Sequence, residues 1–552
     1  MAGPLVEPGT SFSPWVGLIF VFNLIVGTGA LTMPKAFGKA GWILSSVIII
    51  VLALVSYITA TFVIEAMAAA NGIIKYRRKD KKREDYIPRL SKDGSIEVRS
   101  SSSSPSSSTT TSLRKSDSKS PPGASSELPA ITTKLDETSS TSSSSSSDPY
   151  IPDTENDEKE KLLSGNTINY SSVRAAKKHA DYFEITELVD MGQMASMFFN
   201  KIGQILFYIC LIVYLYGDLA IYAVAVPKSL RDITCTYDSD AHNLSDNERC
   251  WPGADISRMN AYRIYLSIFA LALGVFVYFN VQKTKYLQIF TTIMRWLAFL
   301  TMIISSVVYI SQGKSSIKPA ATGPFESIPN FFGVCVYAFM CHHSLPSLIT
   351  PVNPKKRITA FLFGDYILIL LFYLFLSVTA IFTFESDKIQ DIYTLNFFKS
   401  AVLPVIPLQY FVALFPVFTL STNFPIIGIT LRNNLMALFL HENKLYHWTI
   451  RRLLFPTLVL VPPIVVAFVT TNVTMLVGIT GSYAGATIQY LIPVFLVYCG
   501  RKKTERMMGK RWILHQHMSP FRHRIWLVLI IIWAIFCLAF VTVDHVLEGI
   551  HS

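Results

Sequence analysis

Long apolar stretches recur along the chain and are separated by short polar segments. A membrane-spanning helix needs about 20 predominantly apolar residues, and eleven stretches come close to or exceed that length. The stretches are continuous, whereas the strands of a membrane β-barrel alternate apolar and polar residues in segments of about ten. The pattern therefore predicts an all-α polytopic membrane protein. Its membrane-spanning helices are predicted at residues 15–36, 42–66, 203–230, 262–280, 287–311, 328–350, 358–384, 408–431, 453–470, 475–499 and 524–543.

Residues 75–180 form the one long segment without this pattern, and they contain the serine-rich stretches 101–112 and 139–148. So few apolar residues cannot bury enough surface to offset the conformational entropy lost on folding. We therefore predict a disordered linker at 75–180. It separates transmembrane helices 1 and 2, within residues 1–74, from transmembrane helices 3 to 11, within residues 181–552, and the two parts form one membrane domain.

The predicted linker contains a candidate sorting motif. Glu158, Leu162 and Leu163 stand at the spacing of an acidic dileucine signal, which sorting adaptors bind. A pattern of six residues also arises by chance, so both interpretations stay open. We expect the protein in an endosomal or lysosomal membrane or in the plasma membrane.

Charged residues are few and unevenly placed. Only 16% of the chain is Asp, Glu, Lys or Arg, against about 25% in a soluble protein. The net charge is +12, and cations cluster at the ends of apolar stretches, at 73–83, 354–357, 451–452 and 501–511. In membrane proteins such clusters face the cytoplasm. The charge therefore predicts a cytoplasmic N-terminus and linker, a lumenal or extracellular C-terminus, and a lipid bilayer rather than a nucleic acid as the partner.

The same orientation places the segment after the third predicted helix outside the cytoplasm. It contains Cys235, Cys250 and the glycosylation sequon that begins at Asn243. Because that compartment is oxidising, we predict a Cys235–Cys250 disulfide and a glycan on Asn243. The sequon at Asn169 lies in the predicted linker, where we expect no glycan.

Two of the predicted helices contain residues that break helices. In the first, residues 23–34 read NLIVGTGALTMP, with Gly27, Gly29 and Pro34. Glycine and proline cost roughly 1 and 3 kcal/mol relative to alanine in a helix interior. In the sixth, residues 342–346 read HHSLP. Broken helices at corresponding positions of two halves are typical of transporters built from inverted repeats, so the spacing predicts a 5+5 inverted repeat with broken helices 1 and 6.

An unwound membrane helix frees backbone N–H and C=O groups, which must line a cavity or be covered by protein. The half-helix that follows a break begins with a partial positive charge that suits a carboxylate. We therefore predict that Gly27, Thr28 and Gly29 bind the carboxylate of a small zwitterion. Asp218 or carbonyl groups of the sixth helix would receive its ammonium group. The alternatives are close helix packing at the glycines and, for Asp218, an ion pair with Arg295.

Other polar side chains complete the predicted substrate site, which also includes Tyr222, Cys341 and His342. His342 could carry protons near neutral pH or simply hydrogen-bond across the break. A metal site at residues 341–343 lacks further ligands, so we predict none.

Several segments resemble a known family. FNLIVGTGALTMPKAFGKAGW (22–42), AFMCHHSLPSLI (338–349) and VGITGSYAGATIQYLIP (477–493) resemble the first, sixth and tenth helices of the amino acid/auxin permease superfamily, near its sodium-coupled neutral amino acid transporters. The resemblance implies an eleven-helix leucine-transporter-type fold with the substrate between helices 1, 3, 6 and 8. More narrowly, the chain is similar to the transmembrane protein 104 family within that superfamily, at residues 62–72, 191–201, 213–223, 280–288 and 421–434.

In the sodium-coupled transporters, an asparagine before the glycine pair and a threonine in the eighth helix help to hold Na⁺. Asn23 matches the first, and this chain has Asn423, preceded by Thr422, at the second. The resemblance therefore implies Asn23, Thr422 and Asn423 as ion-coupling residues and Na⁺ as a coupling ion; no other cofactor is predicted. Hydrogen bonding between helices is the alternative role for these side chains.

These observations predict a secondary active transporter of neutral amino acids or similar small zwitterions, coupled to Na⁺ or H⁺ and working by alternating access. A nutrient sensor or signalling scaffold on the same fold, with partners on the linker, is the alternative. The sequence has no HExxH, GxSxG, P-loop or Rossmann motif, so no enzyme activity is predicted.

Asn243→Gln is expected to remove a glycan. In a eukaryotic host, peptide N-glycosidase should increase the gel mobility of the full-length protein, because the predicted topology places Asn243 outside the cytoplasm. The substitution should abolish that shift. Asn169→Gln is the matched control and should preserve it, and the reverse result would contradict the predicted topology.

Overall fold

The computed structural model describes residues 13–86, 181–235, 246–252, 255–279, 285–315, 317–440, 446–509 and 516–551. Glu158, Leu162 and Leu163 of the predicted sorting motif and the predicted glycosylation site Asn243 lie outside these residues. Met1–Arg78 and Ala175–Ser552 form one compact unit, which contains the apolar helices. Lys79–Arg174 form a second unit, of which residues 79–86 are described, as the end of a helix.

Fifteen α-helices contain most of the described residues, and we number them in chain order. They are α1 (Pro14–Ile25), α2 (Thr28–Ala40), α3 (Trp42–Tyr86), α4 (Met191–Phe198), α5 (Lys201–Thr234), α6 (Arg258–Gly274), α7 (Lys285–Ser311), α8 (Ser327–Ala338), α9 (Leu345–Ile349), α10 (Ile358–Thr383), α11 (Ile406–Phe439), α12 (Phe455–Val469), α13 (Val473–Thr480), α14 (Ile492–Met508) and α15 (Arg524–His551).

The described helices confirm an all-α polytopic membrane fold. Nine helical stretches of the described residues are long and apolar enough to cross a membrane, and the bent pair α1 and α2 makes a tenth. Adjoining 3-10 or π-helical turns extend α6 and α12 to that length and join α13 to α14 in one stretch. The sixth predicted stretch holds the short apolar helix α8, a break, and the five residues of α9. Each predicted stretch therefore contains helix, and the first and sixth are interrupted.

The two interruptions lie side by side. α1 ends at Ile25 and α2 begins at Thr28, with a bend of 55° between them. α2 packs closely against α8, because a Cβ atom on Gly29 would lie only 2.6 Å from the Cα atom of Ala338. The Tyr373 hydroxyl of α10 lies 3.0 Å from the Ile25 carbonyl oxygen and 2.9 Å from that of Ala338. The Tyr373 hydroxyl is therefore hydrogen-bonded to the last carbonyl group of α1 and to that of α8.

A disulfide marks one end of the helix bundle. Cys235, directly after α5, is bonded to Cys250, and their Cα atoms are 4.6 Å apart. The predicted pairing is therefore confirmed. We call this end of the bundle the disulfide end, and the opposite end, towards which α3 runs, the linker end.

Side-chain hydrogen bonds fix the position of α4 at the linker end. The amide oxygen of Asn71 in α3 accepts hydrogen bonds from the backbone N–H groups of Thr186 at 3.1 Å and Glu187 at 2.8 Å. Its NH₂ group donates to the Glu187 carbonyl at 3.1 Å. Asp190 and Gln193 then form a capping box that begins α4. The segment before α4 is thereby held against α3.

Asp391, between α10 and α11, joins three helices at the disulfide end. Its carboxylate accepts hydrogen bonds from the ammonium groups of Lys35 in α2 at 2.5 Å and Lys228 in α5 at 2.7 Å, and from the Thr474 hydroxyl of α13 at 3.4 Å. Burial alone raises the pKa of Asp391, but the two ammonium groups outweigh burial and lower the pKa to about 2. The carboxylate therefore stays charged at physiological pH and connects α2, α5 and α13.

Asp391→Asn is expected to destabilise the protein, because it leaves the ammonium groups of Lys35 and Lys228 close together without the carboxylate. Removing one partner of a largely buried ion pair costs on the order of 3 kcal/mol. The unfolding midpoint of the purified protein in detergent measures this loss. Asp387→Asn changes an exposed aspartate of the same segment and should leave the midpoint nearly unchanged; equal midpoints for the two variants would contradict the expectation.

The pH dependence of this stabilisation follows from the lowered pKa. The folded-state pKa of Asp391, about 2, lies below the ordinary value of 3.8. The contribution of Asp391 is therefore complete above the ordinary value and is lost as the pH falls through about 2. The difference in midpoint between wild type and Asp391→Asn should stay constant between about pH 7 and about pH 5, and a difference that disappears in that range would contradict the assignment.

Candidate substrate-binding site

A cavity of about 530 Å³ lies where the two helix breaks meet. Its wall is formed by α1, the first turn of α2, α4, α5, α7 and α11, and by the segment from the end of α8 to α9. Of the residues predicted for the site, those in the wall are Asn23, Gly27, Thr28, Gly29, Asp218, Tyr222 and Asn423.

The cavity lies on the linker-end side of the breaks. Among the residues of α2, only Thr28 and Gly29 belong to its wall, whereas Gln193 of α4 and the N-cap residue Asp190 line it towards the linker end. On the disulfide-end side, α2 and α8 pack closely, and the ring of Phe37 lies edge-on to that of Phe331 with 6.0 Å between the centroids. Here the Asp391 ion pairs add a further contact between α2 and α5.

The start of α2 offers backbone groups to an anion. Gly27 is the N-cap residue of this 13-residue helix, and no side-chain hydrogen bond caps it. Thr28 follows as the first helical residue and is 3% exposed. A helix N-terminus carries unsatisfied N–H groups and a partial positive charge, so it stabilises a carboxylate placed there.

Asp218 of α5 places a carboxylate in the same cavity wall. It is 5% exposed and accepts a hydrogen bond from the Tyr337 hydroxyl of α8. Within the described part of the chain, no Lys, Arg or His nitrogen lies within 4.0 Å of Asp218. Arg295 does not pair with it, and donates instead to the backbone carbonyl of Asn23. A buried carboxylate in a membrane protein is costly without a positive partner, so Asp218 suits an ammonium group.

Among the buried polar atoms of the wall without a hydrogen-bond partner in the described residues, two lie on α1 and on the segment between α8 and α9. They are the amide oxygen Oδ1 of Asn23 and the ring nitrogen Nδ1 of His343. Buried polar atoms are nearly always hydrogen-bonded, because an unpartnered one costs about 1–3 kcal/mol. Both atoms are therefore available to a polar ligand in the cavity.

The wall residues that sequence reasoning missed include Tyr214, Tyr337 and His343. The rings of Tyr214 and His343 have centroids 5.4 Å apart, and Tyr337 binds Asp218. One signal was available, because Tyr214 precedes Asp218 by four residues and Asp218 precedes Tyr222 by four, which places all three on one helix face. For His343 no comparable signal existed.

Three predicted residues lie outside the cavity wall. Nε2 of His342 forms a hydrogen bond of 2.9 Å with the Thr59 hydroxyl, and the Cys341 thiol lies 3.3 Å from the Tyr366 hydroxyl. The residues between α8 and α9 do not form a regular helix, so adjacent side chains point in different directions. The Thr422 hydroxyl donates to the carbonyl of Thr419, one turn earlier in α11, at 2.9 Å.

Comparisons with known proteins agree with this architecture. The family model described as transmembrane amino acid transporter protein matches residues 10–87 and 167–541. The chain is 46% identical to transmembrane protein 104 of Gallus gallus over 554 residues and to that of Homo sapiens over 558 residues, covering 99% of both chains in each case. It is 42% identical to the transmembrane protein 104 homolog of Drosophila melanogaster over 562 residues, covering 98% of both chains. The matched ranges include both helix breaks and the whole cavity wall.

Gly29→Ala is expected to lower the stability of the protein, because the added Cβ atom would collide with the backbone of Ala338. Overpacking of this kind costs about 1–3 kcal/mol, which the unfolding midpoint in detergent measures. Gly364→Ala in α10 is the matched control, because a Cβ atom there meets no other atom within 4 Å. An unchanged midpoint for Gly29→Ala would contradict the close contact between α2 and α8.

Proposed function

The chain belongs to the transmembrane amino acid transporter family, and we propose that it is a secondary active transporter of neutral amino acids or similar small zwitterions. The proposal rests on one observation: the same cavity wall contains the uncapped start of α2 and the buried carboxylate of Asp218. The first binds a substrate carboxylate and the second binds a substrate ammonium group. A zwitterion is the simplest small molecule that carries both.

The physical environment favours such a ligand over water. A charge-assisted hydrogen bond between an ammonium group and Asp218 is about twice as strong as a neutral one. It also relieves the cost of holding an unpaired carboxylate at membrane depth. The positive end of α2 acts in the same way on the carboxylate. Both interactions are strengthened by the low dielectric constant of the protein interior.

The size and apolar lining of the cavity support a small substrate with an apolar side chain. A volume of about 530 Å³ lies within the range of about 300–1,000 Å³ typical of small-molecule sites. Leu215, Met340, Leu420 and Ile427 belong to the same wall, and their side chains suit an aliphatic or thioether group. Neutral amino acids fit these requirements.

Alternating access follows from the asymmetry of the two ends. We place the linker end in the cytoplasm, because the cation clusters at 73–83 and 501–511 belong to it. The disulfide end is then lumenal or extracellular, as an oxidised cysteine pair requires. With this orientation the cavity extends towards the cytoplasm. Exchange between the two sides requires α2 to move relative to α5 and α13, with rupture of the Lys35–Asp391–Lys228 contacts.

The family membership and the site favour a transporter over an enzyme, and the substrate and the bilayer are the proposed partners. Binding by sorting adaptors at Glu158, Leu162 and Leu163, and with it an endosomal or lysosomal location, remains a prediction from the sequence.

Asp218→Asn tests the proposed site. A panel of amino acids should include members that raise the unfolding midpoint of the purified wild-type protein in detergent. Asp218→Asn should weaken their apparent affinity by roughly tenfold or more, since it removes a charged partner worth about 1.5–3 kcal/mol. Asp365→Asn is the matched control, because Asp365 is a 3% exposed carboxylate of α10 outside the cavity wall. This variant should bind the stabilising amino acids with the wild-type affinity.

Three results would contradict the proposal. The first is a wild-type protein that no amino acid stabilises. The second is an Asp218→Asn variant that keeps the wild-type affinity, and the third is an Asp365→Asn variant that loses as much affinity as Asp218→Asn.

A further inference from the structure

Arg295 of α7 places a positive charge in the cavity wall. Its side chain is buried, with the residue 5% exposed, and it lines the cavity together with Asn23 and Thr291. The guanidinium donates a hydrogen bond to the backbone carbonyl of Asn23, in the last turn of α1. The C-terminal carbonyl groups of a helix carry a partial negative charge, which a cation stabilises.

No carboxylate of the described residues lies within 4.0 Å of the Arg295 guanidinium. Three arginines near the two ends of the bundle contrast with it, because each has a carboxylate partner. The buried Arg231 and Arg258 pair with Asp232, and the partly buried Arg501 pairs with Glu65. A buried cation without a counterion is costly, unless a ligand or a nearby anionic group compensates it. The positive charge of Arg295 therefore contributes to the net charge of the cavity wall.

The same guanidinium is bound to the backbone of Asn23, one of the residues expected to hold Na⁺. Na⁺ is a hard cation and needs several oxygen ligands. The backbone oxygen of Asn23 already accepts from Arg295, and the Thr422 hydroxyl lies outside the cavity wall, donating to Thr419. A second cation placed beside Asn23 is repelled by the fixed guanidinium.

We propose that Arg295 supplies the positive charge at the end of α1 that a coupling Na⁺ would supply, so that this site binds its substrate without Na⁺. The inference rests on the proposed function. Next to the breaks the cavity wall contributes one positive side chain, Arg295, and one negative side chain, Asp218, whereas its other carboxylate, Asp190, lies towards the linker end. The pair next to the breaks complements a zwitterion with no bound ion. The charge is permanent, because a guanidinium does not lose its proton in proteins.

The unfolding midpoint of the purified full-length protein tests this inference in equal concentrations of sodium, potassium and choline chloride. We expect the same midpoint in the three salts without ligand, and the same apparent affinity for a stabilising amino acid. A midpoint that rises specifically in sodium chloride, or an affinity that is stronger in it by roughly tenfold or more, overturns the inference.

Arg295→Met tests the role of the charge at nearly constant side-chain volume. It should weaken the amino acid affinity in potassium chloride by roughly tenfold or more. Arg432→Met is the matched control. Arg432 is also a buried arginine, its guanidinium donates to the Val277 carbonyl at 2.7 Å, and it lies outside the cavity wall. It should keep the wild-type affinity.

Wild-type affinity in Arg295→Met, or an equal loss of affinity in Arg432→Met, overturns the inference. Either result would mean that Arg295 only stabilises the end of α1 and does not contribute its charge to substrate binding. If no amino acid stabilises the wild-type protein, the proposed function fails. The comparison of sodium and potassium without ligand then still decides the ion question: a sodium-specific rise in the midpoint overturns the inference, and equal midpoints support it.

Discussion

A helix that is interrupted inside a bilayer must find partners for the backbone groups that the interruption frees, and this constraint organises the rest of the structure. Lipid offers no hydrogen bonds, so the partners must come from the protein or from a ligand. At the end of α1, the chain supplies them itself, through Tyr373 at Ile25 and Arg295 at Asn23. The Tyr373 hydroxyl reaches Ala338 as well, which requires the two breaks to lie together.

The beginning of α2 has no such partner, and this asymmetry gives the site its chemistry. Side chains donate hydrogen bonds to carbonyl groups at the ends of α1 and α8, whereas no side chain caps the start of α2. The chain satisfies the carbonyl groups with Arg295 and Tyr373 and leaves the N–H end of α2 facing the cavity, an arrangement that suits an anionic group. Asp218 supplies the complementary charge on α5. Close packing through Gly29 keeps these parts together.

The fold and the position of the cavity at the two breaks could be predicted from the sequence because both rest on strong local signals. The apolar stretches define the helices, and Gly27 and Pro346 lie at the two interruptions, whereas Pro34 lies inside α2 without breaking it. The choice of side chains at the breaks could not be predicted in the same way. In an irregular segment, His342 and His343 point in different directions, and only tertiary contacts such as Thr59 with His342 determine which faces the cavity.

The partner of Arg295 was also hidden from the sequence. An ion pair with Asp218 was a reasonable alternative, because two opposite charges at membrane depth usually compensate each other. The guanidinium instead donates to the backbone oxygen of a residue 272 positions away in the sequence. Every residue has a backbone oxygen, so the sequence does not indicate which one a distant side chain contacts.

Counterflow in proteoliposomes tests the central claim most directly. Vesicles that contain the purified protein are loaded with an excess of an unlabelled neutral amino acid, and the labelled amino acid is added outside at low concentration. A transporter exchanges the two through one site, so the account predicts transient accumulation of the label above its equilibrium level. Label that enters no faster than into protein-free vesicles, across the neutral amino acids, would contradict it.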